Sequence, residues 1–233
     1  MSVLEFFEYF GYFAVLLAAL ASLIISANVK STFKRASAVH SRMGLTGAEA
    51  ARRVLQANGV LNVQITTCAG ELTDHYDPRD NTIYLSEPVY GMANAAAIGV
   101  AAHEAGHAVQ HAQGYLPIKI RQAIIPATNI GSRLSMPLVI LGLILSFPQI
   151  AMVGVLLFGT CVVFQLVTLP TEFNASSRAL ACLSSSGILA GDELKAARKT
   201  LTAAALTYVA ALAVAVLQFL RLLAIVSGGR RRN

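Results

Sequence analysis

Charge is scarce in this sequence. Only 13% of its 233 residues are Asp, Glu, Lys or Arg, and none of them falls between Met136 and Pro170. Soluble domains carry about a quarter charged residues, so the deficit argues against a water-soluble globule and for membrane segments. Cysteine is scarce as well: Cys68, Cys161 and Cys182 stand far apart, with Cys161 inside an apolar run. Neither a disulfide framework nor a cysteine zinc site follows, and the three are expected to pack as small apolar residues. The chain also lacks the interleaving of basic and aromatic residues found in RNA-binding segments. Its net charge of +6 therefore does not imply nucleic acid. The basic residues flank apolar stretches, where anionic lipid headgroups and membrane topology account for them.

Hydrophobic residues make up 55% of the chain. They fall in four stretches. The first, "FGYFAVLLAALASLIISA", covers about 10–27 and at 1.5 Å per residue spans about 27 Å, near the hydrocarbon thickness of a bilayer. The residues before it hold Glu5 and Glu8 but no Lys or Arg, so it reads as a retained anchor and not a signal peptide. The uncharged region from Met136 to Pro170 is too long for one upright helix. "SFPQ" interrupts it at a proline, which gives a helical hairpin with arms over about 130–147 and 150–169. The fourth stretch covers about 201–226, with Arg221 near its end, able to snorkel. A helix buried in a soluble bundle would account for one such stretch but not for four.

Lys and Arg concentrate between the first and second spans and again between the third and fourth. The positive-inside rule then turns both segments to the cytoplasm, although it disfavours the C-terminal "RRR" on the opposite side. The expectation is a multi-pass membrane protein with its polar segment facing the cytoplasm.

That polar segment covers about 31–123. "TGAEAARRVLQANG" reads as a helix with Thr46 as N-cap, Glu49 completing a capping box and Gly59 as the stop. "LNVQITT" alternates like a strand, and "ELTDHYDPRDNTIYLS" reads as a hairpin turning at "DPRDN". A small antiparallel sheet is expected, followed by a helix capped by Asn94 and ended by Gly114. "SSSGILAG" over 184–191 is the clearest loop.

The helix after Asn94 carries "AAHEAGHAVQH". His103 and His107 are four residues apart, so both face one side of the helix and can offer nitrogens to one metal ion. Glu104 projects beside the pair and can reach a water on that metal as general base. Two imidazoles, one further protein ligand and one open position suit zinc. Histidine and glutamate are costly to bury unpaired among Ala, Gly and Val, which argues against an incidental cluster. His111 lies about 12 Å along the axis from His103, too far to share its metal, and is expected to support the site or to lie at the interface. Gln113 stands where a metzincin would place its third histidine, so that pattern is absent.

The third ligand must come from elsewhere. Glu172 is the first charge after the uncharged hairpin, and the hairpin returns the chain to the side that carries the histidines. If a helix continues through "TEFNASSRAL", Ser176 sits one turn beyond Glu172 on the same face.

"DHYDPR", "AAHEAGHAVQH" and "EFNASSRA", in this order among four apolar spans, resemble the bacterial YugP-type family of membrane neutral zinc metallopeptidases. The resemblance covers nearly the whole chain. It implies a gluzincin-like site with one Zn2+ per chain, His103, His107 and Glu172 as ligands and Glu104 as base. The chain is more distantly similar to the HtpX family of membrane proteases, in which Glu-x-x-x-Asp supplies the third ligand. Ser176 stands at that Asp position, and a hydroxyl orients a ligand histidine less strongly than a carboxylate does.

Other candidates surround this set. His75, Tyr76 and Asp77 lie on a strand that could line the cleft and pair with an extended substrate, and His75 or Tyr76 could donate to an oxyanion. Arg178 is a further candidate for binding an oxyanion or carboxylate. The expected protein is a mainly α integral membrane protein. It has four transmembrane helices and a small zincin-like α+β segment bearing the HExxH helix, and residues 1–233 form one domain. Its expected function is zinc-dependent hydrolysis of peptide bonds in peptide or membrane-protein substrates at the membrane face. The competing readings are a zinc-binding scaffold without turnover and a hydrolase of a lipid amide or ester. A transporter would carry paired intramembrane charges, which the hairpin lacks.

Overall fold

Pro148 cannot donate a backbone hydrogen bond and disfavours helix in the residue before it. The chain breaks there, with Ser146 at a φ of 56°. The computed structural model describes residues 3–229. Met1, Ser2 and residues 230–233 lie outside the described residues, and with them the Arg230–Arg232 tail on which the topology argument drew.

Ten elements follow in order. They are α1 (Val3–Ser37), α2 (Gly47–Ala57), β1 (Gln64–Cys68), β2 (His75–Asp77), β3 (Thr82–Ser86) and α3 (Glu87–Tyr90). The remaining four are α4 (Ala95–Ala112), α5 (Leu116–Ile144), α6 (Pro148–Ser185) and α7 (Gly191–Gly229). The fold is mainly helical with one small sheet. Helices α1, α5, α6 and α7 are each long and apolar enough to cross a membrane. All four extend beyond the apolar stretches that announce them, because helix continues into polar sequence such as "TEFNASSRAL". Helix α5 also runs through Pro126 and Pro137 without ending.

Contacts divide the chain into two compact units. One comprises Met1–Ile25, Ile120–Leu169 and Thr207–Asn233. Its buried cluster includes Val139, Ala151, Val155, Leu222 and Val226. Small residues bring α5 and α6 together within it: a Cβ on Gly154 would lie 2.6 Å from the Ser135 carbonyl oxygen. Apolar helices in lipid associate through such close approach, since burial alone gives them little drive. Arg221 lies over the Tyr12 ring at 5.3 Å in this unit.

The other unit comprises Ser26–Lys119 and Pro170–Leu206. Its core gathers Val54 and Leu55 of α2, Ile83 and Leu85 of β3, Ile98 and Ala102 of α4, and Leu183 of α6. The sheet order is β1-β3-β2, with β2 and β3 antiparallel about the "DPRD" turn. The expected all-antiparallel sheet is corrected by β1, which pairs with β3 in parallel. Alternation announces a strand but not its neighbour, and β1 reaches β3 by skipping over β2 in sequence.

Helix α2 starts at the capping box read from the sequence. The Glu49 backbone N–H donates to Thr46 Oγ1 at 3.3 Å, and the Thr46 N–H donates to Glu49 Oε2 at 2.8 Å. The Thr46→Ala variant is expected to lose about 1 kcal/mol of stability, read as a lower midpoint in denaturant unfolding of the detergent-solubilised protein. An unchanged midpoint would show that tertiary packing alone sets the start of α2. Asn94 caps α4 by accepting from the Ala97 N–H at 2.9 Å, and Gly114, with a φ of 66°, follows its end. The loop expected over 184–191 is shorter than its composition suggests, because α6 runs to Ser185 and α7 begins at Gly191.

Candidate metal centre

Alanine and glycine dominate α4, and their small side chains let α6 approach closely. A Cβ on Gly106 would lie 2.8 Å from the Ala175 carbonyl oxygen. That approach brings Glu172 against the histidine face of α4. Glu172 is 2% exposed, and His107 and Glu104 are buried with it.

The three predicted ligands meet. His103 Nε2 lies 3.2 Å from Glu172 Oε2, and His107 Nε2 lies 3.4 Å from the same oxygen. One donor atom from each residue falls within 4.8 Å of the others. Tetrahedral zinc with bonds of about 2.0–2.1 Å separates its ligand atoms by roughly 3.4 Å, so these spacings fit such an ion.

The opposite ring nitrogens are occupied. His103 Nδ1 is 3.0 Å from Ser176 Oγ, and His107 Nδ1 is 3.1 Å from Gln110 Oε1. The Gln110 amide is itself fixed, because its Nε2 donates to the Thr171 carbonyl at 2.8 Å and to Asn174 Oδ1 at 2.9 Å. A backbone carbonyl only accepts, so the amide nitrogen must face it and Oε1 must face His107. His107 therefore carries its hydrogen on Nδ1 and turns the Nε2 lone pair toward the Glu172 carboxylate. Two lone pairs facing each other in a buried site need a cation between them or an added proton. His103, His107 and Glu172 could hold that cation.

Gln110 was not singled out in the sequence. A glutamine seven residues after a histidine carries no metal motif. Only its fully buried position opposite Thr171 and Asn174 reveals what it does. Residues that orient a ligand histidine are worth about 10–100-fold in metal affinity. We expect Gln110→Ala to weaken zinc binding by that range in competition with a chromogenic chelator. Wild-type affinity in this variant would mean that His107 holds its tautomer without the amide.

Burial pushes the Glu104 carboxyl up to about 7, the charge of His103 opposes that rise, and the charges of Glu172, Asp74 and His75 act on it more weakly. A carboxyl titrating near neutrality is suited to taking and returning protons. Asp74 ties the start of β2 to the end of β3, accepting from the Ser86 N–H at 2.8 Å and from its hydroxyl at 3.0 Å.

The remaining sequence candidates lie around this set. His75 Nδ1 is 2.8 Å from the Thr73 carbonyl, and its ring stacks on Tyr84 at 4.9 Å. The Tyr76 hydroxyl donates to Asn81 Oδ1 at 2.7 Å, and burial holds it up at about 12. The ring of Tyr76 contacts that of His111 at 5.9 Å. Asp77 binds the Arg79 guanidinium within its own turn, which pulls its carboxyl down to about 2. Arg178 donates to Asn174 Oδ1 at 2.7 Å and to Gln113 Oε1 at 2.5 Å. Its guanidinium thus stays with the Gln110–Asn174 network, while Ser176 and Gln110 sit directly behind the two histidines.

Residues 11–227 match the model of a family described as "Putative neutral zinc metallopeptidase". The chain is 44% identical over 205 residues to "Putative membrane protease YugP" of Bacillus subtilis (strain 168), covering 88% of this chain and 91% of that protein. No solved structure matches the chain.

Proposed function

Because the chain belongs to this neutral zinc metallopeptidase family and is a multi-pass membrane protein, we propose that it is a zinc-dependent endopeptidase of gluzincin type. His103, His107 and Glu172 are its ligands, Glu104 is its general base, and the whole chain works as one zincin-like unit. The observation that carries this reading is the convergence of two histidine nitrogens on one buried Glu172 oxygen, with both opposite nitrogens already satisfied.

Zinc bound there would polarise the scissile carbonyl and acidify water at the open position. Glu104, next to His103 in the chain and outside the ligand set, takes the proton of the attacking water and returns it to the leaving amine. Ser176 and Gln110 hold the two imidazoles in the ligating orientation. Strand β2 stands at an edge of the sheet, and an extended peptide can add to it through main-chain hydrogen bonds. The Tyr76 hydroxyl is bound to Asn81 and the His75 Nδ1–H to the Thr73 carbonyl, so His75, our candidate for stabilising the oxyanion, would donate from Nε2 of its imidazolium form.

A scaffold needs no buried carboxyl beside its metal, which argues against zinc binding without turnover. Hydrolysis of a lipid amide or ester would use the same residues, so the test must separate substrates. The zinc-loaded protein, incubated with an unfolded protein substrate in H2 18O, is expected to give new peptide C-termini carrying 18O. Release of fatty acid from membrane lipids, with the protein substrate left intact, would replace the peptidase reading by the lipid one.

A further inference from the structure

A second feature of the catalytic unit lies away from the metal ligands. Residues 28–36 of α1, Val39 just beyond its end and residues 192–206 of α7 line an open cavity of about 680 Å3, within the range of ligand pockets. Four basic side chains line it, Arg35, Lys195, Arg198 and Lys199, against one carboxylate, Asp192. Asp192 pairs with Lys195 at 3.1 Å. Four positive charges less one negative leave a net charge of +3. Arg35 donates to Ser31 Oγ at 2.8 Å and Thr32 Oγ1 at 3.0 Å. Val39, Ala203 and Leu206 make an apolar wall beside this cluster.

The place of these residues in the chain gives the cavity its meaning. Asn28, which lines it, is the first residue after the apolar stretch ending at Ala27, and Lys199 lies two residues before the apolar stretch beginning at Leu201. A membrane protein meets lipid headgroups where its apolar stretches end. Basic groups beside an apolar wall match a phosphate that carries acyl chains. A free anion would leave the wall without a partner. We propose that this cavity binds the phosphate headgroup of an anionic phospholipid, with Arg35, Arg198 and Lys199 on the phosphate oxygens and the start of an acyl chain against Val39 and Leu206.

The test uses the full-length protein in non-ionic detergent, titrated separately with phosphatidylglycerol and phosphatidylcholine, with bound lipid counted by native mass spectrometry. The wild type is expected to hold phosphatidylglycerol at least about tenfold more tightly than phosphatidylcholine. The double variant Arg198→Gln/Lys199→Gln is expected to lose about tenfold or more of that affinity. Lys199→Arg, which keeps the charge, and Lys30→Gln, exposed on α1 outside the cavity, should bind as the wild type does. Zinc content checks that each variant is folded. Arg35→Gln, on the other helix, gives an independent reading if the double variant loses zinc. Phosphatidylglycerol binding unchanged in both the double variant and Arg35→Gln would overturn the proposal. So would an equal loss in Lys30→Gln, which would mark diffuse surface charge, or complete displacement by excess inorganic phosphate, which would mark a free-anion site.

Discussion

The Glu172→Ala variant is expected to lose zinc affinity by more than a hundredfold. Changes to residues that only orient a ligand cost about 10–100-fold, and removing a ligand also opens the coordination sphere. Glu172 contributes the oxygen that both Nε2 atoms face, at 3.2 and 3.4 Å. It also supplies a buried negative charge that offsets a dication, and it is the carboxylate grouped with His103 and His107 as a possible metal set. The effect is visible in stability as well as in binding. An ion that binds only the folded state stabilises it by RT ln(1 + [L]/Kd), about 2.7 kcal/mol at a hundred times Kd. Added zinc should therefore raise the unfolding temperature of the wild type and leave that of Glu172→Ala almost unmoved. An equal rise in both proteins would place the ion elsewhere.

The second large effect is on turnover. Glu104→Gln preserves size and hydrogen-bonding capacity but cannot take a proton. Loss of a general base costs about 10²–10⁴-fold in rate, and we expect kcat on an unfolded protein substrate to fall by that range. Zinc affinity should stay within a few-fold of the wild type, because Glu104 is outside the ligand set. The pairing of the two outcomes carries the information. A variant that loses both zinc and activity would make Glu104 a ligand, and one that keeps both would leave the base unassigned.

The sequence announces the histidine pair, the base and Glu172 because each is a rare charge in an apolar context. His103 and His107 lie on consecutive turns of one face of α4, and Glu172 is the first carboxylate after the uncharged hairpin. Ser176 follows from the same helical spacing, and its hydroxyl does meet His103. Gln110 was not legible, because a neutral amide becomes a positioning group only when Thr171 and Asn174 pin it from another helix. The capping box at Thr46 was legible because it is local, whereas the parallel pairing of β1 with β3 was not, since strand order is a tertiary choice. Helix lengths were underestimated for a related reason. Hydropathy marks where lipid can lie, while backbone hydrogen bonding carries α5 back to Leu116 and α6 on to Ser185.

The most direct test of the account is the zinc content of the purified full-length protein by elemental analysis, beside Glu172→Ala and Glu104→Gln. The account predicts about one zinc per chain in the wild type, close to none in Glu172→Ala and about one in Glu104→Gln. A wild type that holds no metal, or a Glu172→Ala variant that keeps its full zinc, would contradict it.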